Sequence, residues 1–183
     1  VEQVAPSQYT DRIIATFESY SSYQVDSADF DNDGDLDLFV HDNNKILVYQ
    51  NNDGAFELHQ NIPRYFGGGS TTFNVFDVDD DGKVDILRTI NDPTPGGGKL
   101  YWYRQNEDSQ FLAMTVIHQF TNLTPSDIEI SDLDQDGDFD IVATGSTATD
   151  GSYSSEVVQW LENIGHLTFT KHSVGNWGMN SYD

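Results

Sequence analysis

The chain has 183 residues, with 31 acidic side chains against 8 basic ones, a formal net charge of −23 and no cysteine. Its length is enough for one domain with a sizeable core, and its 13% aromatic content is not that of a disordered acidic tail. The charge excludes attachment to nucleic acid or anionic lipid by direct attraction, the lack of cysteine excludes disulfides and thiolate metal sites, and no apolar run approaches the ~20 residues that span a bilayer.

Val1 stands where an initiator Met would, and reads as a processed or excised start. Residues 1–19 contain one β-prone stretch, Arg12–Phe17, placed where the last strand of a preceding unit would lie. A strand near Tyr23–Ala28 leads into an acidic run, Asp29–Asp37, and the apolar residues after it, Leu38-Phe39-Val40, predict a second strand. A third follows over Lys45–Asn51, and the turn Asn52-Asp53-Gly54 joins it to a fourth at Phe56–His59, because Asn/Asp-Gly pairs close hairpins.

The same order then repeats twice. A strand at Thr72–Phe76 precedes the run Asp77–Asp85, followed by Ile86-Leu87, by Lys99–Asn106 and by Phe111–Ile117. A strand at Asp127–Ser131 precedes Asp132–Asp140, followed by Ile141-Val142-Ala143, by Val157–Asn163 and by Leu167–His172. The connections Tyr65–Ser70, Asn91–Gly98 and Gly145–Ser155, rich in Gly, Pro, Ser and Thr, read as exposed loops. Four strands per copy in up-and-down order, at a period near fifty, predict an all-β fold of β-propeller-type blades. The expected layout is the end of a preceding blade over 1–19, blades over 20–69, 70–123 and 124–172, and the start of a further blade over 173–183. Three blades with two unfinished ends imply a larger or multi-subunit assembly, with self-association through the exposed blade edges.

Each acidic run reads D-x-D-x-D-G-x-x-D. Carboxylates this dense repel one another unless a cation is shared, and the spacing suits calcium, which takes about 6–8 oxygens at roughly 2.3–2.6 Å. The position 1, 3, 5 and 9 aspartates are Asp29, Asp31, Asp33 and Asp37; Asp77, Asp79, Asp81 and Asp85; and Asp132, Asp134, Asp136 and Asp140. Position 7, occupied by Asp35, Lys83 and Asp138, would contribute a backbone carbonyl, so its side chain is free to vary. Glycine at position 6 permits the positive φ of a sharp turn. Position 12 holds Val40, Arg88 and Ala143, which excludes the helix-flanked type of loop with its bidentate Glu. Three loops predict about three calcium ions, which would cancel six of the negative charges.

These loops, the apolar strand after each and the aromatic-rich strand ending in Asn resemble the FG-GAP/VCBS repeat family over roughly residues 20–172. The resemblance implies calcium-loop blades, the same aspartate ligands, and a secreted or cell-surface module that binds a protein or glycan partner. It also leaves room for an accessory part of a polysaccharide-active enzyme and for a subunit of a surface layer or filament. The chain shows no G-x-S-x-G, no cysteine nucleophile and no phosphate-cradling lysine loop, and none of its five histidines has metal-ligand spacing, so no enzyme is expected. Trp102, Tyr103 and Trp160 are expected to pack between blades, with sugar stacking as the alternative.

Overall fold

The computed structural model describes residues 11–16, 22–42, 45–63, 70–91, 97–149 and 152–178, and among these twelve strands form three four-stranded antiparallel sheets. The first sheet comprises β1 (Ser22–Ala28), β2 (Asp37–Asp42), β3 (Lys45–Asn52) and β4 (Ala55–Pro63). The second comprises β5 (Ser70–Phe76), β6 (Asp85–Ile90), β7 (Lys99–Tyr103) and β8 (Thr115–Gln119). The third comprises β9 (Leu123–Ser131), β10 (Asp140–Thr149), β11 (Ser152–Asn163) and β12 (Phe169–Gly178). Strands neighbour one another in chain order within every sheet, and β5 packs against both β1 and β9. These are propeller-like blades, laid face to face with their first strands side by side.

Strand periodicity decides which faces meet. In β6 every residue is buried, because this strand is covered on both sides. Ile86 and Ile90 join Phe30, Phe39, Ile46 and Phe73 in the core between the first two sheets. Leu87, between them in sequence, points the other way and packs with Leu123, Ile128, Ile141 and Leu161. Even Arg88 is wholly buried in this strand. The last strands are mostly exposed or half-buried, as β4 and β8 show.

Side chains supply the hydrogen bonds that strands of different sheets do not exchange. The Gln24 amide on β1 donates to the Phe73 carbonyl on β5 at 2.5 Å and accepts the Phe73 amide at 2.9 Å. The Val75 amide donates to Asp26 at 3.1 Å. On the outer side, Gln60 makes the same two-way contact with Phe111, at 3.1 and 2.9 Å, and Gln105 donates to the Phe30 carbonyl at 2.8 Å. A glutamine side chain acts here as a short substitute for a ladder partner.

Several expected elements change. Gly145–Ser155 is no loop: β10 and β11 continue through it, paired from Gly145↔Val157 to Thr149↔Ser152. Thr147 is β-branched and suits a strand, whatever the loop-like composition of the segment around it. In the second sheet Phe111 forms only an isolated bridge with Gln105, and the last strand begins at Thr115. β12 runs past the expected end at His172 to Gly178, held by pairing with β11 as far as Ser155↔Gly178. Asp11–Thr16 carries no strand, and instead Arg12–Ala15 lies with Val25, Leu38, Val40 and Tyr49 on the outward face of the first sheet. Arg12 donates there to the Gly54 carbonyl. Trp160 faces away from the neighbouring sheet, because Leu161 takes the inward position. Tyr65–Gly69, most of the Asn91–Gly98 connection and Met179–Asp183 lie outside the described residues.

Loss of the Gln24 bridge leaves the Phe73 amide and carbonyl without their partner. Gln24→Ala is therefore expected to cost about 1–3 kcal/mol in urea unfolding, whereas Leu58→Ala at an exposed position stays within about 0.5 kcal/mol.

Candidate metal loops

All three acidic runs take up one backbone shape, which their own aspartates build. The position 1 carboxylate accepts the amides of positions 5 and 6: Asp29 from Asp33 and Gly34 at 3.1 and 3.0 Å, Asp77 from Asp81 and Gly82 at 3.1 and 2.7 Å, and Asp132 from Asp136 and Gly137 at 3.2 Å each. The position 5 carboxylate accepts the amide of position 7 at 2.9 Å in Asp33, 3.0 Å in Asp81 and 2.9 Å in Asp136. Gly34, Gly82 and Gly137 have φ of 98°, 83° and 98° with open space where a Cβ would stand, so conformation and not crowding requires glycine. Position 4 is also left-handed, at 59° for Asn32, 56° for Asp80 and 64° for Gln135. The sequence reading missed it; the Asn and Asp there, which tolerate this region, were the available signal.

Position 9 has a different task. Asp37, Asp85 and Asp140 are buried at the start of β2, β6 and β10. Asp37 accepts the Phe30 amide from the loop at 2.9 Å and the Asn51 amide from the hairpin at 2.7 Å. Asp140 does the same with Leu133 at 3.1 Å and Asn163 at 2.9 Å. Asp85 accepts Gln105 at 2.7 Å, the Val78 amide and the Trp102 indole at 2.9 Å. The middle blade is therefore one residue out of the expected register. Asn51 and Asn163 each give their amide to the aspartate and use their side chain to accept a turn amide, from Gly54 and Gly165. In the middle blade Gln105 gives the amide, and Asn106 caps the turn.

The carboxylates converge as a cation site requires. One oxygen from each of Asp29, Asp31 and Asp33 lies within 4.8 Å of the others, and so do those of Asp132, Asp134 and Asp136. Two ligands of one calcium ion are separated by at most about 5 Å, twice the calcium–oxygen distance. In the middle loop the convergent trio is Asp77, Asp79 and Asp85. Asp81 is turned toward Lys83 at 3.4 Å and Arg104 at 3.1 Å. Asp31 Oδ1 is buried and accepts no hydrogen bond among the described residues, an oxygen that a cation would satisfy. The donors are all hard oxygens, which suits calcium and not a soft metal. At position 7 the Asp35 carboxylate is occupied by the Asp53 amide at 2.8 Å, and Lys83 reaches Glu107 at 3.1 Å. Asp138 at that position donates its own amide to Asp136.

Burial first, and crowded charge after it, shifts several of these carboxyls from their ordinary values. Burial pushes Asp85 up to about 6 despite the Gln105 amide and the Trp102 indole. Burial also raises Asp37, even though it accepts two amides. Asp79 and Asp134 are raised first by burial and then by Asp81 and Asp136 respectively. Burial opposes it, but the Lys83 amide, the Lys83 charge and the side-chain hydrogen bonds from Lys83 and Arg104 hold Asp81 below the usual carboxylate value.

The FG-GAP-like repeat model matches residues 29–88 and 77–143, more than half of the chain. Each match opens on a position 1 aspartate and ends in the strand after the following loop. The chain belongs to the FG-GAP-like repeat family, a non-catalytic structural family whose repeats are typically extracellular. No curated protein matches it. No helix among the described residues is long and apolar enough to cross a membrane.

Two outcomes follow from the separate tasks of these aspartates. Asp37→Ala is expected to cost about 2–4 kcal/mol even with chelator present, since it strands two amides, while most of the loss from Asp31→Ala should appear only when calcium is present. The native pKa of Asp85 exceeds its unfolded value of 3.8, so between about 4 and 6 the folded state binds more protons and stability falls as pH rises. Chelator-treated protein should therefore melt higher at pH 5 than at pH 7 by circular dichroism. Excess calcium should reverse that order, because ligand carboxylates must be ionised.

Proposed function

We propose that this chain is an extracellular, calcium-stabilised repeat module with a structural or partner-binding role. The observation that carries the reading is the threefold recurrence of one loop geometry, with three carboxylate oxygens brought within 4.8 Å in each copy. On this reading Asp29, Asp31, Asp33 and Asp37, with Asp77, Asp79, Asp81 and Asp85 and with Asp132, Asp134, Asp136 and Asp140, hold three calcium ions, aided by the carbonyls of Asp35, Lys83 and Asp138. Calcium bound there relieves carboxylate repulsion in the folded state and adds its binding free energy to folding. Extracellular calcium concentrations suit loops of this kind, and the family's usual setting agrees. A partner would be a protein or a glycan, since −23 disfavours polyanions.

A sugar-binding role has one observation in its favour. Trp160 and His172 stack at 4.5 Å on the face of the third sheet turned away from the second, and half-exposed aromatic pairs are platforms for the apolar faces of sugars. A glycan array with quenching of Trp160 fluorescence tests it, and an array without hits rejects it.

For the main reading, excess EDTA should lower the melting temperature by ten degrees or more, about 2.5–5 kcal/mol for a chain of this size. Calcium should restore it and magnesium, which demands a smaller octahedral cage, should not. Coincident melting curves with EDTA and with calcium would reject the reading.

A further inference from the structure

The three loops differ at one place outside the acidic run. The residue just before the clamped amide, at or just past the end of the third strand of each blade, reaches back toward position 3 of the loop. In the first blade Gln50 donates to Asp31. In the second, Arg104 lies 2.7 Å from Asp79 and 3.1 Å from Asp81. In the third the residue is Glu162, which adds negative charge beside Asp134 and is itself held by His172 at 2.6 Å. The place is therefore neutral, cationic and anionic in turn. Lys83 deepens the contrast, since position 7 is Asp35 and Asp138 in the other loops.

We propose that Arg104 is a built-in cation of the middle loop that competes with calcium for Asp79 and Asp81, so that the outer loops fill first and the middle loop fills last. The inference rests on the calcium reading above. Its physical basis is occupancy and repulsion. The Arg104 side chain is half-exposed and its pairs with Asp79 and Asp81 are accordingly weak, so calcium can displace the guanidinium. The displaced charge stays tethered next to a divalent ion. The same pairing explains why Asp81 is absent from the convergent trio of the middle loop, although its counterparts Asp33 and Asp136 take part in theirs.

Trp102 makes the middle loop separately visible. Its indole donates to Asp85 at 2.9 Å, and the Arg104 guanidinium lies 5.9 Å from its ring centroid. The experiment titrates calcium into the metal-free full chain at pH 7.5 by calorimetry. In parallel, terbium is added and its emission is excited through tryptophan, with Trp102→Phe identifying the middle-loop signal. The unsubstituted chain should bind two equivalents tightly and a third about tenfold or more weakly, with Trp102-sensitised emission growing in that last phase. Arg104→Gln, which copies Gln50, should bring the third equivalent close to the others, and Arg104→Glu should tighten it at least as far. Arg104→Lys, which keeps the charge, should leave it weak. That order follows charge, and a merely structural role would not produce it. Three indistinguishable equivalents in the unsubstituted chain overturn the proposal, as does a weak site unmoved by Arg104→Gln. A chain that binds no calcium at all overturns instead the reading on which the proposal rests.

Discussion

A buried aspartate with both oxygens in use holds each blade together. Asp37, Asp85 and Asp140 sit at the first residue of the second strand, out of water, and accept one amide from the loop before them and one from the hairpin after. One side chain thus ties the start of the loop, the second strand and the end of the third. Burying a carboxylate is costly, and the rise of Asp85 to about 6 records that cost. The arrangement holds because charge-assisted bonds from fixed amides are strong. A cation shared with the neighbouring carboxylates would offset the remainder.

Stacking carries this local device into the whole fold. A single four-stranded blade has two faces and cannot cover either alone. The middle sheet covers both of its own, with Ile86 and Leu87 sending adjacent side chains into different cores. Glutamine side chains then tie the first blade to the second at both the inner and outer strands. The acidic loops sit together at one end of the strands, where charge meets solvent and packing constrains it least. Between the second and third loops they leave a cleft lined by Asp77, Asp79, Asp132 and Asp138.

What the sequence disclosed was local. Position 1 bonds to positions 5 and 6, and position 5 bonds to position 7, so a nine-residue spacing already implies the loop. The recurrence of the acidic runs at a period near fifty, each with β-prone segments around it, likewise implied three blades of four strands. Apart from the left-handed residue at position 4, the misses have a different cause, because they depended on how residues pair and pack across strands. Gly145–Ser155 reads as a loop until its two halves are seen to pair. Asn106 looks equivalent to Asn51 until Asp85 is found bonded to Gln105. Trp160 has the composition of a core residue, yet Leu161 occupies the inward place. Nothing near the middle loop in sequence announces Arg104, which arrives across a hairpin.

The central claim is that three acidic loops are three calcium sites holding three blades. Native mass spectrometry of the metal-free full chain, with calcium added in steps, counts the ions directly. The account predicts discrete additions up to three calcium ions per chain and no further specific uptake. A chain that stays unloaded at millimolar calcium, or that gains ions in a featureless series without stopping at three, would contradict it.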